Sequence, residues 1–151
     1  MAEPRRVHAQ ADLCRDCQAC TLACSLYHEG KCGLSLARLV VDKDMARYTF
    51  KITVCQQCDE PACIPACPGG AMRRAGRGVA VLVEEDCIQC GACAEACPYQ
   101  AIFYHEAQDR HLKCDLCDGR AEGPLCVEVC PVGALTLSDP IIKENMKDGE
   151  F

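Results

Sequence analysis

Cysteine spacing is the feature that most constrains this chain, because the cysteines form a fourfold internal repeat. All but one of the 17 cysteines in the 151 residues fall into four groups of four. Each group begins with a Cys-x2-Cys pair and ends with a Cys-x3-Cys step, and proline follows three of the groups. The groups are Cys14, Cys17, Cys20 and Cys24; Cys55, Cys58, Cys63 and Cys67; Cys87, Cys90, Cys93 and Cys97; and Cys114, Cys117, Cys126 and Cys130. A repeat of this kind organises the rest of the fold.

So many cysteines serve either disulfides or metal binding. Disulfides belong to oxidising compartments, and the first ten residues lack the apolar stretch of a secretory signal. The odd number of cysteines also fits poorly with complete pairing. No apolar run reaches the length of a membrane-spanning helix. We therefore expect a cytoplasmic chain with reduced thiols, with a partner's export signal as the alternative route across a membrane.

Composition limits what else can hold the chain together. Leu, Ile, Val and Phe make up about a fifth of the residues, close to the lower limit for a chain that builds an apolar core. The net charge of −6 and the lack of a large basic patch argue against nucleic-acid binding. The one basic cluster consists of Arg73, Arg74 and Arg77. It is interpreted either as part of a solvated hairpin or as a docking site for a partner.

Short strand-like segments lie between the cysteine groups. Their β-branched and aromatic residues, bounded by turn residues, predict short antiparallel hairpins, with a turn at Gly76–Gly78. The segments are 39–41, 48–54, 79–83, 101–104 and 134–137. Each Cys-x3-Cys step contains helix-forming residues and predicts a brief helix. The proline that follows favours a sharp turn there.

The third group matches the bacterial ferredoxin spacing C-x2-C-x2-C-x3-C-P, in which the fourth cysteine binds the other iron–sulfur cluster of a pair. The second and fourth groups lengthen only the interval before their third cysteine. Such an insertion extends a surface loop at a small entropic cost. Zinc sites also use Cys-x2-Cys pairs, but zinc does not explain four cysteines within eleven residues followed by proline. The spacing therefore predicts [4Fe–4S] clusters.

Few residues outside the four groups suggest chemistry. We expect Cys32 to be an inert thiol rather than a ligand or redox group. His28 is expected to be a structural, hydrogen-bonding histidine, with cluster ligation or proton transfer as the alternatives. His8, His105 and His111 have no ligand-like neighbours in sequence. With no nucleophile beside a base and no paired carboxylates, we expect no catalytic centre.

The order of the four groups resembles that of the four-cluster ferredoxin-like subunits of molybdenum and tungsten oxidoreductases, over residues 12–137. This resemblance implies an α+β fold of two nested ferredoxin-like modules, with short hairpins and helices around the clusters. The inner module would cover about 50–106, and the outer module about 10–49 plus 107–137. The segments CTLACSLYHEG at 20–30 and SLARL at 35–39 are similar to the small ferredoxin subunits of tungsten aldehyde oxidoreductases and of tungsten-containing benzoyl-coenzyme A reductases.

The resemblance also implies which cysteines share a cluster, and we name the four sites A to D. Site A is Cys14, Cys17, Cys20 and Cys130; site B is Cys114, Cys117, Cys126 and Cys24; site C is Cys55, Cys58, Cys63 and Cys97; site D is Cys87, Cys90, Cys93 and Cys67. Ser25 stands where the family pattern has proline. The pattern therefore does not predict the backbone turn after the first group.

An electron-transfer subunit is the function that this resemblance implies. Its partners would be a large tungsten or molybdenum subunit and a flavin- or NAD-binding acceptor subunit. The alternatives are a free polyferredoxin, a structural protein that associates with itself or a partner, and a redox enzyme or sensor that acts through Cys32. The charged tail, 138–151, is either a fraying surface arm or a docking arm.

Overall fold

The structure, a computed structural model, describes residues 5–138. It contains eight short strands and four α-helices within that range. The strands are β1 (Arg6–Ala9), β2 (Leu39–Asp44), β3 (Thr49–Val54), β4 (Met72–Arg74), β5 (Ala80–Leu82), β6 (Ile102–His105), β7 (Arg110–Lys113) and β8 (Leu135–Ser138). The helices are α1 (Ala19–Glu29), α2 (Cys63–Ala66), α3 (Ala92–Ala96) and α4 (Leu125–Glu128).

The strands form four separate antiparallel pairs, β1–β8, β2–β3, β4–β5 and β6–β7. Three pairs are local hairpins, which confirms the prediction of short hairpins between the cysteine groups. The β4–β5 turn contains Gly78, whose φ of 76° lies in the left-handed region that glycine enters without strain. The fourth pair joins the two ends of the described chain, with Val7 opposite Leu137. The cysteine groups are therefore enclosed between the first and last strands.

Three helices are as brief as predicted, and one is not. α2, α3 and α4 have four or five residues each and end before the fourth cysteine of their group. α1 has 11 residues, includes Cys24 and ends at Gly30, whose φ is 66°. The helix continues because Ser25, unlike proline, donates a backbone N–H and leaves room for the preceding carbonyl.

The cysteines are part of the small interior. One buried cluster contains Val7, Leu39 and Leu135 together with Cys24 and Cys126. A second contains Met72 and Ile102 with Cys93. These two groups of apolar side chains are small because the chain has few large apolar residues. Five cysteines, Cys24, Cys55, Cys93, Cys117 and Cys126, are buried together with these apolar side chains.

The proposed division into an inner and an outer module crosses two hairpins. β2–β3 extends over the expected boundary near residue 50, and β6–β7 extends over the one near residue 106. The module division therefore stays a prediction. Of the C-terminal arm at 138–151, all but Ser138 lies outside the described residues. No helix in the described part of the chain has the length and apolar character needed to cross a bilayer.

Candidate metal centres

The four Cys-x2-Cys loops have the same backbone shape. In each, the residue before the second cysteine has a positive φ, which costs a non-glycine residue about 1 kcal/mol. These residues are Asp16, Gln57, Gln89 and Leu116, with φ of 54°, 46°, 58° and 55°. The N–H of each donates to the sulfur of the first cysteine of its loop over 3.4 to 3.5 Å. Strained conformations of this kind persist where the surrounding structure requires them.

Two cavities are each lined by four cysteine side chains. The cysteines of site A surround one cavity, together with apolar residues that include Ile52 and Leu135. The cysteines of site C surround the other, beside Tyr99, Ile102 and Lys113. In both cavities three cysteines come from one group and the fourth comes from another group. The structure thus brings together the eight cysteines that the family resemblance assigned to sites A and C.

Site B cysteines affect one another's ionisation. Burial, followed by the charges of Cys24, Cys117 and Cys20, raises the pKa of Cys126 to about 12. Burial also raises the pKa of Cys114 well above its usual value, with smaller effects from Cys126 and Cys55. Cys24 and Cys126 belong to one buried cluster, against which Cys114 of site B and Cys20 and Cys130 of site A pack.

Site D cysteines show the same relation. Burial raises the pKa of Cys93, and the charges of Cys87 and Cys67 act in the same direction. Cys90, the remaining member, is exposed, as is Cys17 in site A. Sites A and D therefore each have one thiol at the protein surface.

Backbone N–H groups surround the fourth cysteines of the second and fourth groups. The N–H of Met72 is the largest cause of a lowered pKa of Cys67, and residues 69–71 add to it. Burial alone would raise the pKa of Cys130, but the N–H groups of residues 132–135 lower it overall. The N–H of Ala134 is 3.3 Å from the Cys130 sulfur. Such donors favour the thiolate form, which is the form that binds metal.

The donor set fits an iron–sulfur cluster. The described thiols are soft ligands in groups of four, and N–H···S hydrogen bonds of the kind that tune such clusters are present in every loop. Most of the buried thiols have raised pKa values and would be protonated without a cation. A bound metal removes the proton and compensates the charge that burial disfavours.

The two other residues considered in the sequence have different environments. Cys32 is exposed. The His28 Nε2 lies 3.5 Å from an Asp115 carboxylate oxygen and 3.8 Å from the Cys117 sulfur. Burial lowers the pKa of His28, and the charge of Arg38 adds to the effect. His28 therefore contacts the site B loop, whereas Cys32 does not belong to any of the four sites.

Sequence reasoning missed two buried polar residues beside the cysteines. Gln57, 1% exposed, accepts from the Ala80 N–H at 2.8 Å and donates to the Cys114 carbonyl at 2.9 Å. Lys113, 3% exposed, donates to the same carbonyl at 3.0 Å. One signal was available for Gln57, because the repeat places glutamine before the second cysteine at Gln89 as well. Nothing in the sequence indicated that Lys113 is buried.

Most of the basic hairpin is bound to the protein itself. Arg73 pairs with Asp86 at 3.0 Å. Arg74 donates to the carbonyls of Cys58 and Asp59 at 3.0 and 2.6 Å. Arg74 thus fixes the loop that follows the second cysteine of its group, a role that the sequence did not predict.

Comparison with known families agrees with the arrangement of the thiols. The model of the 4Fe-4S dicluster domain matches residues 46–140, and the model of a 4Fe-4S binding domain matches residues 11–27. The chain belongs to this [4Fe–4S] family. The predicted ferredoxin-like cluster domains are thereby confirmed at the level of the family.

Relatives share most of the chain. The B subunit of the anaerobic dimethyl sulfoxide reductase of Escherichia coli (strain K12) is 37% identical over 91% of this chain and 74% of its own length. Electron transport protein HydN of the same strain is 32% identical over 89% of this chain and 88% of its own length. The active site complex BamBC of benzoyl coenzyme A reductase contains a similar chain, with a TM-score of 0.55 and 28% identity over 89% of this chain and 78% of that one.

These findings establish the general role of the chain. It is an iron–sulfur electron-transfer subunit of the kind found in oxidoreductase complexes, and it is not the catalytic chain of such a complex. The resemblance that the cysteine groups indicated is confirmed to this extent.

Proposed function

We propose that the chain holds four [4Fe–4S] clusters, one in each of sites A to D, and relays single electrons through them. The sixteen grouped cysteines are the ligands, and each site takes its fourth thiolate from another group. The observation that carries this proposal is the pair of four-cysteine cavities at sites A and C. Each is lined by three cysteines of one group and one of another, as cluster pairs in ferredoxins require.

The proposed relay runs in the order D, C, B, A. Sites D and C are linked because the second group provides Cys67 to site D and the third group provides Cys97 to site C. The effect of Cys55 on the pKa of Cys114, after burial and Cys126, supports a close approach of sites C and B. The effect of Cys20 on the pKa of Cys126 supports the same for sites B and A.

Electrons would enter and leave at the two ends of the relay. The exposed thiols of sites D and A, Cys90 and Cys17, favour these sites as the contact points for other proteins. The inner sites lack an exposed cysteine. Nested modules, with C and D in the inner one and A and B in the outer one, are the architecture that this order implies.

A large tungsten or molybdenum subunit, of the aldehyde oxidoreductase type, is the partner we propose at one end. The similar chain in the active site complex of benzoyl coenzyme A reductase supports a catalytic subunit as the partner, and the metal and the type of subunit follow from the family resemblance of the cysteine groups. We propose a flavin- or NAD-binding subunit at the other end. The support is 35% identity to the beta subunit of an NADH-dependent phenylglyoxylate dehydrogenase of Aromatoleum evansii, over 81% of this chain and 27% of the length of that subunit. The cytoplasm is the proposed location.

A second candidate is a free-standing polyferredoxin. It is favoured by the match to HydN, which extends over most of both chains. Anaerobic purification separates the two candidates, because a subunit co-purifies in fixed ratio with a large metal-cofactor protein. A polyferredoxin would purify alone and still hold its iron.

The cluster inventory is tested on the same anaerobic preparation. We expect about sixteen iron and sixteen sulfide per chain, and paramagnetic resonance signals of reduced [4Fe–4S] clusters. The matched control is Cys32→Ala, which should keep the full iron count. A folded, colourless chain, or one that carries zinc in place of iron, would contradict the proposal.

A further inference from the structure

Lys113 is a buried cation at the junction of two proposed cluster sites. It is the last residue of β7 and directly precedes Cys114 of site B. Its Nζ donates to the carbonyls of Ala80 and Cys114, over 2.5 and 3.0 Å. Burial of an ammonium group is unfavourable unless hydrogen bonds and opposite charge compensate it. The carbonyls provide the hydrogen bonds but no negative charge.

No carboxylate provides that charge within residues 5–138. The ion pairs of the described residues involve other basic side chains and leave Lys113 out. Within the described part of the chain, the cavity that Lys113 lines contains no carboxylate, and its cysteines are the side chains that carry negative charge when they bind metal. Lys113 lines the site C cavity together with all four site C thiols. The thiolates of a cluster are therefore the negative charge that this lysine faces.

The charge of Lys113 acts on both sites. Burial raises the pKa of Cys63 in site C, and the Lys113 charge is the largest effect in the opposite direction. Burial likewise raises the pKa of Cys114 in site B, and Lys113 again acts against it. A single ammonium group thus favours negative charge in two neighbouring sites.

Gln57 holds the lysine in this place. Its side-chain amide bonds the Ala80 N–H and the Cys114 carbonyl, so the two carbonyls that accept from Lys113 are fixed relative to each other. The hydrogen bonds of Gln57 and Lys113 join the second-group loop, β5 and the start of the fourth group. The position of the ammonium group is therefore set by backbone atoms on both sides of the junction.

We propose that Lys113 sets the reduction potentials of the two central clusters, those of sites B and C, and holds them above the values they would have without its charge. This inference rests on the proposed function. A cubane with four thiolates is anionic, and reduction adds one further negative charge. A fixed positive charge in a medium of low dielectric stabilises the reduced form more than the oxidised form. The clusters of sites A and D are farther along the relay and feel this charge less.

The test is a redox titration of the cluster-loaded protein, followed by paramagnetic resonance. Lys113→Gln keeps a hydrogen-bond donor and removes the charge, whereas Lys113→Arg keeps the charge. Lys51→Gln is the matched control, because Lys51 is exposed on β3. We expect Lys113→Gln to lower the equilibrium constant for reduction about tenfold at two of the four clusters, which is about 59 mV for a one-electron couple. Lys113→Arg and Lys51→Gln should leave all four potentials close to those of the unaltered protein.

Iron and sulfide counts on every variant separate the two possible failures. If the unaltered protein lacks [4Fe–4S] clusters, the proposed function fails. If the clusters are present and Lys113→Gln leaves the potentials unchanged, or shifts all four equally, the role of Lys113 is refuted alone. Lys113→Met is a second charge-free variant with an unbranched side chain. Loss of clusters in both charge-free variants, with clusters kept in Lys113→Arg, would make the residue a structural requirement and overturn the proposal.

Discussion

The first and third cysteine groups have identical spacing but different helices. Both loops place a positive-φ residue after the second cysteine, Gln18 in one and Gly91 in the other. The helix after this residue has 11 residues in the first group and five in the third. The third group continues with proline and the first with Ser25. Cysteine spacing therefore determines the loop, and the segment that follows the fourth cysteine, with its proline and its left-handed turn, determines where the helix ends.

The two groups also differ in the backbone beyond the fourth cysteine. The third group turns back at Gln100, whose φ is 52°, and Gly70 and Gly133 have positive φ at the corresponding positions of the second and fourth groups. The first group lacks this turn, and the Cys24 sulfur accepts instead from the N–H of Arg38 at 3.3 Å. A fourth thiol can thus be oriented by the adjacent turn or by a distant segment.

The first and third groups share their cysteine spacing, and serine in place of the exposed cysteine of each group tests whether these loops bind clusters. Among the substitutions considered, we expect these to change the protein most, through loss of iron. Cys17→Ser and Cys90→Ser each remove one thiolate from a proposed cluster, so we expect each to lose or convert one cluster and to lower the iron count by up to about a quarter. The measurement is iron and sulfide per chain with paramagnetic resonance. Cys32→Ser is the exposed-cysteine control and should retain full iron. Equal iron content in all three variants would contradict the ligand assignment.

Proline at the serine position should break the first group's helix. Ser25→Pro removes a backbone donor inside α1 and clashes with the preceding turn, which costs about 3 kcal/mol. We expect a lower denaturant midpoint under anaerobic conditions and less helix by circular dichroism. Ser25→Ala is the control, because it loses only the hydroxyl bonds to the Leu22 carbonyl and the Gly33 N–H, each worth about 1 kcal/mol. A proline variant as stable as the alanine variant would show that the extended helix is dispensable.

Alanine in place of the third group's glycine should have a smaller effect. The added Cβ of Gly91→Ala would lie 3.7 Å from the His111 Nε2, an ordinary contact, so strain at a φ of +77° is the main cost. We expect a loss of about 1 kcal/mol in the free energy of unfolding. Gly76→Ala is the matched control, since its Cβ meets no atom within 4 Å and its φ is not in the left-handed region. Equal stability of the two variants would mean that the loop relaxes to relieve the strain.

Serine in place of the third group's proline should have the smallest effect. Pro98→Ser increases the freedom of the unfolded chain, for which we expect a loss of less than about 1 kcal/mol. α3 should keep its length, because the left-handed turn at Gln100 still directs the chain into β6. Circular dichroism of the variant measures this. A gain of helix to the length of α1 would show that proline alone ends α3.

Local elements were largely predictable because their causes are local. The hairpins around 48–54 and 79–83 and the short helices before Cys67, Cys97 and Cys130 follow from β-branched runs, turn residues and proline. The length of α1 was not foreseen, although Ser25 departs from the family pattern. Gly30, which ends the helix in the left-handed region, was the available signal.

Features that depend on contacts between distant segments were harder to predict from the sequence. β1 was missed because Arg6–Ala9 is polar and short, and it becomes a strand by pairing with β8. β7 was missed for the same reason, as Arg110–Lys113 contains three charged or titratable residues that are nonetheless mostly buried. Burial of Lys113 and Gln57 depends on hairpins brought together from separate groups. The cysteine sets were predicted from a family pattern, which supplied long-range information, and the structure places two of the four sets around common cavities.

The pairing of β1 with β8 has a consequence for how the cell manufactures this protein. Cys14 leaves the ribosome long before Cys130, and the cavity that Cys14 lines is not complete until Cys130 has emerged. The cavity shared by Cys55 and Cys97 is complete well before that. On the nascent polypeptide the thiols of Cys55 and Cys97 can therefore meet before those of Cys14 and Cys130, and we expect iron delivery to begin at the middle groups.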